Sequence, residues 1–251
     1  MANIIAIANH KGGVGKTTSV ASIGAALAQR GKRTLLVDLD AQANLTTSLL
    51  GEEPEQTIYN ALTSKEPLPI LEVKENLSIV PSSLDMAGVE LEISSRMSRE
   101  YLLKDLIEPI ASTYDYILLD CAPSLGIITL NALVAATELY IPLTAEALPS
   151  RGLTKLIDIL QNVQKRLNPD IALSGVIITR YEKSKLSQMV EEALRANYGK
   201  AVFNTRIRKN VAIAEAPLYG KDVLTYSPDS NGSKDYRELT EEIIQRTTNN
   251  G

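Results

Sequence analysis

The residues best suited to chemistry lie near the amino terminus, between an apolar stretch and a helical pattern. They form the run Lys11-Gly12-Gly13-Val14-Gly15-Lys16-Thr17-Thr18. The glycines let the backbone curl so that successive N–H groups point at phosphate oxygens, and the helix start adds its dipole. In such a loop Lys16 reaches the β- and γ-phosphates and the Thr17 hydroxyl binds Mg²⁺. A glycine-rich turn without a ligand is the alternative, and the strand–loop–helix context disfavours it.

Three carboxylates follow two apolar segments further along the chain. Asp38 and Asp40 end the segment 36–40, and Asp120 follows residues 116–119. Ligands of an open parallel sheet bind outside the carboxyl ends of its strands, so all three should lie beside the glycine-rich loop. Carboxylates placed there hold the waters of Mg²⁺ or orient an attacking water. Each one alone is more typical of a helix cap or a solvated turn, and only their joint placement favours a role in the site.

Apolar, strand-like segments alternate with helical patterns along most of the chain. We predict strands at residues 4–8, 34–37, 77–80, 116–119, 139–143 and 172–178, and helices at 16–29 and 235–247. Several strands are nearly continuous apolar runs, as strands buried on both faces require. Residues 51–69 are polar and read as a surface excursion with a short helix near 58–62. The alternation predicts an α/β fold with a mostly parallel, twisted sheet of about seven to eight strands and helices on both faces.

Composition excludes several classes of protein. The chain has 251 residues, of which 44% are hydrophobic, so it is long enough for a sizeable core. Only 4% of the residues are aromatic and none is Trp, which argues against an aromatic platform for base stacking. Cys121 is the only cysteine and His10 the only histidine. An intramolecular disulfide, a multi-cysteine zinc site and an iron–sulfur cluster held by one chain are therefore excluded, and a Ser-His-Asp triad is disfavoured.

Targeting signals are also missing from the sequence. No apolar run reaches about 18 residues, the length needed to span a membrane. The amino terminus lacks the basic start and cleavage site of a signal peptide. We therefore expect a cytoplasmic protein. The formal net charge of -4 gives no overall attraction to nucleic acid or to anionic membranes.

Four motifs, in order, resemble those of ParA/Soj-type partition ATPases, which belong to the deviant Walker A, or MinD/ParA, group of P-loop NTPases. Residues 11–17 resemble the deviant Walker A motif with its extra lysine, and residues 35–44 resemble the second motif. Residues 120–126 are similar to the Walker B and switch segment. Residues 210–217 and 219–221 are similar to a late motif beside the nucleotide. The resemblance runs from about residue 3 to about residue 245.

The resemblance implies roles for individual residues in a Mg²⁺-dependent ATPase that binds ATP and ADP. Lys16 would bind the β- and γ-phosphates, Asp40 would position the attacking water, and Lys11 would reach the nucleotide of a second subunit. The implied magnesium site is formed by Thr17, Asp38 and Asp120. The implied nucleotide-binding residues, with the adenine side last, are Lys11, Gly12, Gly13, Val14, Gly15, Lys16, Thr17, Thr18, Arg208, Asn210 and Pro217.

The same resemblance implies a function in partition. ATP would hold a homodimer together, the dimer would bind DNA nonspecifically on the nucleoid, and slow hydrolysis would be stimulated by a ParB-like centromere-binding protein. Residues 1–251 would form a single ParA-like ATPase domain without an N-terminal helix-turn-helix extension. No membrane partner is expected.

A local basic segment could provide the DNA contacts. Residues 180–209 hold eight basic residues against three acidic ones, a net charge of +5, which leaves -9 for the rest of the chain because the total is -4. A solvated charged face is an equally plausible reading of that count, and the resemblance favours DNA. The candidate DNA-binding residues are Arg180, Lys183, Lys185, Arg195, Lys200, Arg206 and Lys209.

Three other functions compete with partition. A MinD-like, membrane-associated positioning ATPase needs a basic amphipathic helix at the carboxyl end, and residues 236–246 contain too many carboxylates. An electron-transfer ATPase needs two cysteine ligands per chain, and only Cys121 is present. A P-loop biosynthetic enzyme, such as an amide ligase, stays open because the sequence identifies no substrate pocket.

Overall fold

The structure is a computed structural model that describes residues 2–51, 54–64, 66–146 and 151–249. Eight strands in these ranges form one sheet. The strands are β1 (Asn3–Ile7), β2 (Thr34–Asp38), β3 (Leu71–Lys74), β4 (Leu77–Val80), β5 (Tyr116–Asp120), β6 (Glu138–Thr144), β7 (Ala172–Tyr181) and β8 (Val202–Arg208). The helices are α1 (Lys16–Gln29), α2 (Asn44–Leu50), α3 (Ile58–Ser64), α4 (Val89–Glu92), α5 (Leu102–Ile107), α6 (Ile127–Ala135), α7 (Arg151–Arg166), α8 (Lys185–Tyr198), α9 (Val211–Glu215), α10 (Val223–Tyr226) and α11 (Asn231–Asn249).

The sheet has the order β3-β4-β2-β5-β1-β6-β7-β8. All neighbouring strands run parallel except β3 and β4, which are antiparallel. The predicted α/β class, with a mostly parallel sheet and helices on both faces, is confirmed. The two edge strands, β3 and β8, were not predicted from the sequence. β3 exposes successive residues to water and β8 exposes alternate residues. Neither strand therefore has the continuous apolar run that marks the inner strands.

The central strands are apolar because helices cover them on both faces. Every residue of β2 and β5 is buried, and the two strands pair in register so that Asp38 lies opposite Asp120. These aspartates are the last residues of their strands, which places both carboxylates at the edge where β1 also ends. The sheet therefore brings the predicted acidic residues to one edge, as expected for a doubly wound fold.

Two segments differ from the sequence-based expectation. The described residues of the segment 51–69 do not simply run over the surface, because α3 packs Ile58 and Leu62 into the core beneath it. The carboxyl-terminal helix is longer than predicted, as α11 begins at Asn231. Its apolar residues Tyr236, Leu239 and Ile243 are buried with α1 in the core on the other face of the sheet. The apolar face of α11 is therefore already occupied by the protein itself.

Candidate nucleotide-binding site

The glycine-rich loop connects β1 to α1, and its ends are fixed by hydrogen bonds. Asn9 donates from its side chain to the Pro142 carbonyl at 2.7 Å and accepts from the Lys11 backbone N–H at 3.0 Å. The Thr179 hydroxyl, from β7, donates to the Val14 carbonyl at 2.9 Å. Gly15 has φ +91°, a left-handed conformation that a side chain disfavours, and α1 begins directly after it. The loop is thus preformed, with its N–H groups at a helix start.

The two lysines of the loop have opposite environments. Lys16 is only 7% exposed, and its Nζ donates to the Lys11 carbonyl at 3.4 Å. Burial lowers the pKa of Lys16, while the nearby Asp120, Cys121 and Asp40 oppose the change. The Lys11 side chain is exposed, although its backbone supports Lys16. The buried ammonium group of Lys16 is held by one long hydrogen bond. It can exchange that bond for a charge-assisted hydrogen bond to a phosphate oxygen.

Asp38 is buried and already has hydrogen-bond partners. Its Oδ2 accepts from the Thr46 N–H at 2.9 Å and from the Thr46 hydroxyl at 2.8 Å, and its Oδ1 accepts from the Asp40 N–H at 3.1 Å. Burial raises the pKa of Asp38 to about 6, against the lowering effect of the Thr46 hydrogen bonds. The carboxylate therefore organises the loop between β2 and α2, and it has little remaining capacity for a metal.

Asp120 is equally buried but has no such partners. Neither carboxylate oxygen makes a hydrogen bond of ordinary geometry within the described ranges. Burial raises the pKa of Asp120 well above its usual value, the Asp38 charge adds to the rise, and the neighbouring Thr17 hydroxyl and Lys16 oppose it. A buried carboxylate with two unsatisfied oxygens beside a hydroxyl fits a hydrated divalent cation, which would satisfy both.

Among the described residues, no group of three His, Cys, Asp or Glu side chains is arranged to hold a metal. This fits Mg²⁺ rather than a metal held by the protein alone, because Mg²⁺ keeps several waters and takes further oxygens from phosphates. Thr17 and Asp120 are the residues at this position that fit it. When bound, the ion would neutralise charge on the phosphates.

Asp40 is held beside the phosphate cavity by two hydrogen bonds, one to its backbone and one to its side chain. The Ser82 hydroxyl donates to its carbonyl at 2.8 Å, and its Oδ1 accepts from the Gln42 N–H at 3.0 Å. The side chain lines the same cavity as Lys16 and Thr17. A carboxylate beside this cavity would be within reach of a water that attacks a bound phosphate, which is the placement that water positioning needs.

Two adjoining cavities open around the loop. The first, here called the phosphate cavity, has a volume of about 530 Å³ and is lined by the loop, Asp40, Pro123 and residues of α1, α2 and α10. The second, here called the apolar cavity, has a volume of about 510 Å³ and lies between the loop and the ends of β7 and β8. Gly13, Gly15, Thr18, Ile213 and Pro217 line both. A nucleotide with its phosphates on the loop therefore has an adjoining apolar space for its base.

The residues assigned to the adenine side all line the apolar cavity, in different ways. The Asn210 side chain caps α9 by accepting from the Ala212 N–H at 2.9 Å. The Arg208 guanidinium is paired with buried Asp235 at 2.5 Å. Both side chains are therefore engaged within the protein. Pro217 is exposed and forms part of the wall between the two cavities.

The structure separates the candidate DNA-binding residues. Five of the eight basic residues of the segment 180–209 are paired with carboxylates, two of which, Glu146 and Asp235, come from outside the segment. The pairs are Arg180–Glu146, Arg195–Glu191, Arg206–Glu191, Arg208–Asp235 and Lys209–Glu182. The other three, Lys183, Lys185 and Lys200, make no ion pair within the described ranges. Lys183 and Lys185 lie at the start of α8, whereas Lys200 follows its end, about 20 Å away.

Several residues that shape the site were not predicted from the sequence. Thr46 fixes Asp38, Ser82 fixes Asp40, and Thr179 fixes the loop. All three are hydroxyl residues, and they lie 8, 42 and 165 residues along the chain from the group each one holds, so no run of consecutive residues marks them. Lys221 also lines the phosphate cavity. The late motif at residues 219–221 gave a signal for it, but the residue was not assigned a role.

A phosphate-binding loop after β1, a buried lysine at the start of α1 and carboxylates at the ends of β2 and β5 define a P-loop nucleoside triphosphatase. Comparisons with known proteins agree. Residues 2–173 match the sequence profile of a family described as AAA domain. The sporulation initiation inhibitor protein Soj of Bacillus subtilis is 40% identical over 249 residues, covering 97% of this chain and 98% of that protein. The chromosome partitioning protein ParA of Caulobacter vibrioides is 39% identical over 251 residues, covering 97% and 94%.

A solved structure is similar over the whole chain. Cobyrinic acid a,c-diamide synthase from Mycobacterium smegmatis, with bound ADP and magnesium, has a TM-score of 0.87 and 33% identity, and the match covers 100% of this chain and 97% of that one. The chain belongs to the ParA/Soj family of P-loop partition ATPases. It is a Mg²⁺-dependent ATPase, and the predicted cofactors, ATP or ADP with magnesium, are confirmed. Among the described helices, none is both long and apolar enough to cross a membrane.

Proposed function

We propose that this ATPase is a dimerising switch in which ATP joins two copies of the chain, the dimer binds DNA nonspecifically, and hydrolysis separates it. The observation that carries the proposal is the contrast between Lys11 and Lys16. Both belong to the phosphate-binding loop, yet Lys16 is buried in the phosphate cavity while Lys11 is exposed and lines neither cavity of its own chain. An exposed cation that lines neither cavity of its own chain is available to the nucleotide of a second copy.

The roles of the remaining site residues follow from their positions. Lys16 binds the β- and γ-phosphates, and Thr17 with Asp120 holds the magnesium ion. Asp38 supports the metal site by fixing Thr46 and the loop that carries Asp40, and Asp40 positions the attacking water. A lysine inserted from the second copy stabilises the charge that develops on the phosphates during hydrolysis. Supporting observations are the unsatisfied oxygens of Asp120 and the hydrogen bonds of Asp38.

Light scattering coupled to size-exclusion chromatography tests the switch. The protein is measured without nucleotide, with ADP and with a non-hydrolysable ATP analogue, each with Mg²⁺. We expect about twice the monomer mass only with the triphosphate analogue. A monomer under all three conditions contradicts dimerisation but leaves ATP binding intact, which is measured separately by titration calorimetry.

DNA binding through the start of α8 is the second part of the proposal. Lys183 and Lys185 are exposed there and lack ion-pair partners within the described ranges. Two such sites on one dimer would strengthen binding by multivalency, so DNA affinity would depend on ATP. Retention of DNA of unrelated sequences on a filter, measured with ADP and with ATP, tests this. Equal retention in both nucleotide states would contradict the coupling.

A ParB-like partner completes the proposed cycle. The family assignment supports such a partner, and the water-positioning Asp40 lies on a loop at the mouth of the site, where a bound protein can reach it. Steady-state ATPase rates with DNA alone, with a centromere-binding protein alone and with both provide the test. The expected result is slow turnover without either and the highest rate with both.

A second candidate function is ATP-dependent amide synthesis, favoured by the similarity to the diamide synthase structure. The residues offer little for the glutamine-dependent form of that chemistry. Cys121, the only cysteine, is buried, and burial raises the pKa of its thiol, so it is a poor nucleophile. ADP release with cobyrinic acid and ammonia, compared with ADP release with DNA, distinguishes the two. Stimulation by cobyrinic acid and not by DNA would favour the synthetase.

A further inference from the structure

Arg180 has an unusual backbone conformation at the edge of the apolar cavity. It lies one residue before the end of β7, where the pairing with β8 is irregular, and its φ is +51°. Non-glycine residues rarely adopt this left-handed region, and they persist there only where the surrounding structure holds them. Such strain often accompanies a functional requirement for the side chain.

The surroundings of Arg180 suggest what that requirement is. The residue lines the apolar cavity, whose surface is mainly apolar and whose aliphatic members include Ile207, Val211 and Pro217. Tyr236 is the one aromatic side chain among the described residues that line it; it is 1% exposed, and its hydroxyl pairs with the Ser19 hydroxyl at 3.2 Å. No ring in this wall therefore presents an open face to a base. A planar guanidinium group can take the place of a ring, because it stacks on heterocyclic bases.

Among the described residues, two guanidinium groups line this cavity, and they differ in how firmly they are held. The Arg208 group is paired with Asp235, whose side chain is only 5% exposed, so leaving it would strand a buried charge. The Arg180 Nε is 3.1 Å from the Glu146 Oε1, and these side chains are 50% and 47% exposed. Exposed pairs of this kind contribute little free energy and separate easily. Arg180 is therefore the guanidinium group that can turn toward a ligand.

We propose that Arg180 stacks its guanidinium plane on the purine base of the bound nucleotide and leaves Glu146 when it does so. This inference rests on the proposed function in one respect, namely that the apolar cavity receives the base. It assigns Arg180 to nucleotide recognition rather than to DNA. Glu146 and the base then compete for the same guanidinium group, because the Arg180–Glu146 pair must break before the base can stack.

The test compares ATP with inorganic tripolyphosphate, which has the phosphates but no base, in titrations of the wild type and variants. Arg180→Gly removes the side chain. Because glycine adopts a positive φ without strain, the backbone at the end of β7 should not change. We expect it to weaken ATP binding about three- to tenfold, the size of a cation–ring contact, and to leave tripolyphosphate binding unchanged. Arg180→Lys should recover only part of the loss, since its ammonium group is not planar.

Glu146→Gln provides the converse measurement. Because it releases Arg180 from its partner, it should tighten ATP binding by up to about threefold, again without effect on tripolyphosphate. In the double variant with Arg180→Gly that gain should disappear. An unchanged ATP affinity in Glu146→Gln would overturn the proposed exchange of partners.

Two further outcomes separate this inference from the proposed function. If the wild type binds ATP no more tightly than tripolyphosphate, the apolar cavity does not receive the base, and the proposed site itself is wrong. If the wild type prefers ATP and Arg180→Gly keeps that preference, only the role of Arg180 is refuted. If Arg180→Gly weakens the binding of ATP and of tripolyphosphate equally, the role of Arg180 is also refuted, because a general disturbance of the phosphate-binding loop would have that effect.

Discussion

Asp38 and Asp120 lie directly opposite each other at the ends of two neighbouring strands, and within the described ranges only Asp38 makes hydrogen bonds of ordinary geometry. The pair places two buried carboxyl groups beside a phosphate-binding loop. Burial raises the pKa of both, to about 6 for Asp38, and the charge of Asp38 raises that of Asp120 further. The nucleotide-free site is therefore destabilised by its own negative charge, which a bound cation would relieve.

The pH dependence of stability should show this arrangement. The native protein holds the Asp38 proton up to about pH 6, whereas the unfolded chain releases it near its usual value of 3.8. The free energy of unfolding without nucleotide should therefore fall as the pH rises from about 4 to about 6, by on the order of 1–3 kcal/mol. Denaturant unfolding across that range measures the change.

Asp120→Asn should reduce that dependence, because it removes one of the two buried charges. At pH 7 and without nucleotide, we expect the variant to be more stable than the wild type, and to lose the extra stabilisation that Mg²⁺ adds in the presence of ATP. Asp170→Asn, which changes an exposed carboxylate, serves as the matched control. A less stable Asp120→Asn protein at pH 7 would contradict the charge argument.

Lys11→Ala should separate nucleotide binding from dimerisation. Because Lys11 is exposed and lines neither cavity, ATP affinity should change less than about threefold, while the ATP-dependent dimer is lost. Lys16→Ala removes the buried lysine and should abolish ATP binding itself. Titration calorimetry and light scattering on both variants give the comparison. Normal ATP-dependent dimerisation of Lys11→Ala would refute the proposed exchange of lysines between subunits.

Asp40→Ala should slow hydrolysis and leave binding intact. Its carboxylate lines the phosphate cavity, and loss of a group that positions the attacking water costs about 10²-fold or more in rate. The variant should accumulate as an ATP-bound dimer that stays on DNA. Single-turnover hydrolysis and light scattering measure the two effects. Asp170→Asn, at an exposed residue that does not line the phosphate cavity, is the control, and an equal rate loss there would indicate an effect unrelated to the site.

DNA binding should depend on where each basic residue lies and on whether it is paired. The double variant Lys183→Ala with Lys185→Ala should weaken DNA retention and reduce the slope of log affinity against log salt by about 4, because a dimer bound through both copies loses four lysines. Lys200 follows the other end of α8, so Lys200→Ala should have little effect on DNA retention. Equal effects at both ends would indicate that the contact surface is elsewhere or larger.

Arg206→Ala provides a contrast to these lysine variants. Arg206 and Arg195 both bind Glu191, whose side chain is only 9% exposed. Removing Arg206 should therefore destabilise the fold, by about 1–3 kcal/mol, rather than act on DNA alone. A melting experiment distinguishes the two effects. If Arg206→Ala has normal stability and strongly reduced DNA retention, Arg206 belongs to the DNA-binding surface.

The sequence by itself determined the phosphate-binding loop, the helix that follows it and most of the inner strands. The helix predicted at 16–29 and the strand predicted at 77–80 have the same bounds in the structure. These features depend on consecutive residues, because glycine conformations, helix starts and apolar runs are local properties. The edge strands β3 and β8 were missed because each is partly exposed and lacks that signal.

Only the tertiary structure decided which groups meet. Asp38 faces Asp120 because of the register between β2 and β5, and the Thr179 hydroxyl reaches the loop because β7 lies two strands from β1. Counting charges along residues 180–209 predicted a basic surface, yet five of the eight basic residues bind carboxylates, some from distant segments. The different exposure of Lys11 and Lys16 is likewise invisible in their shared motif. Burial and pairing depend on neighbours that the fold brings together, and no local pattern of residues records them.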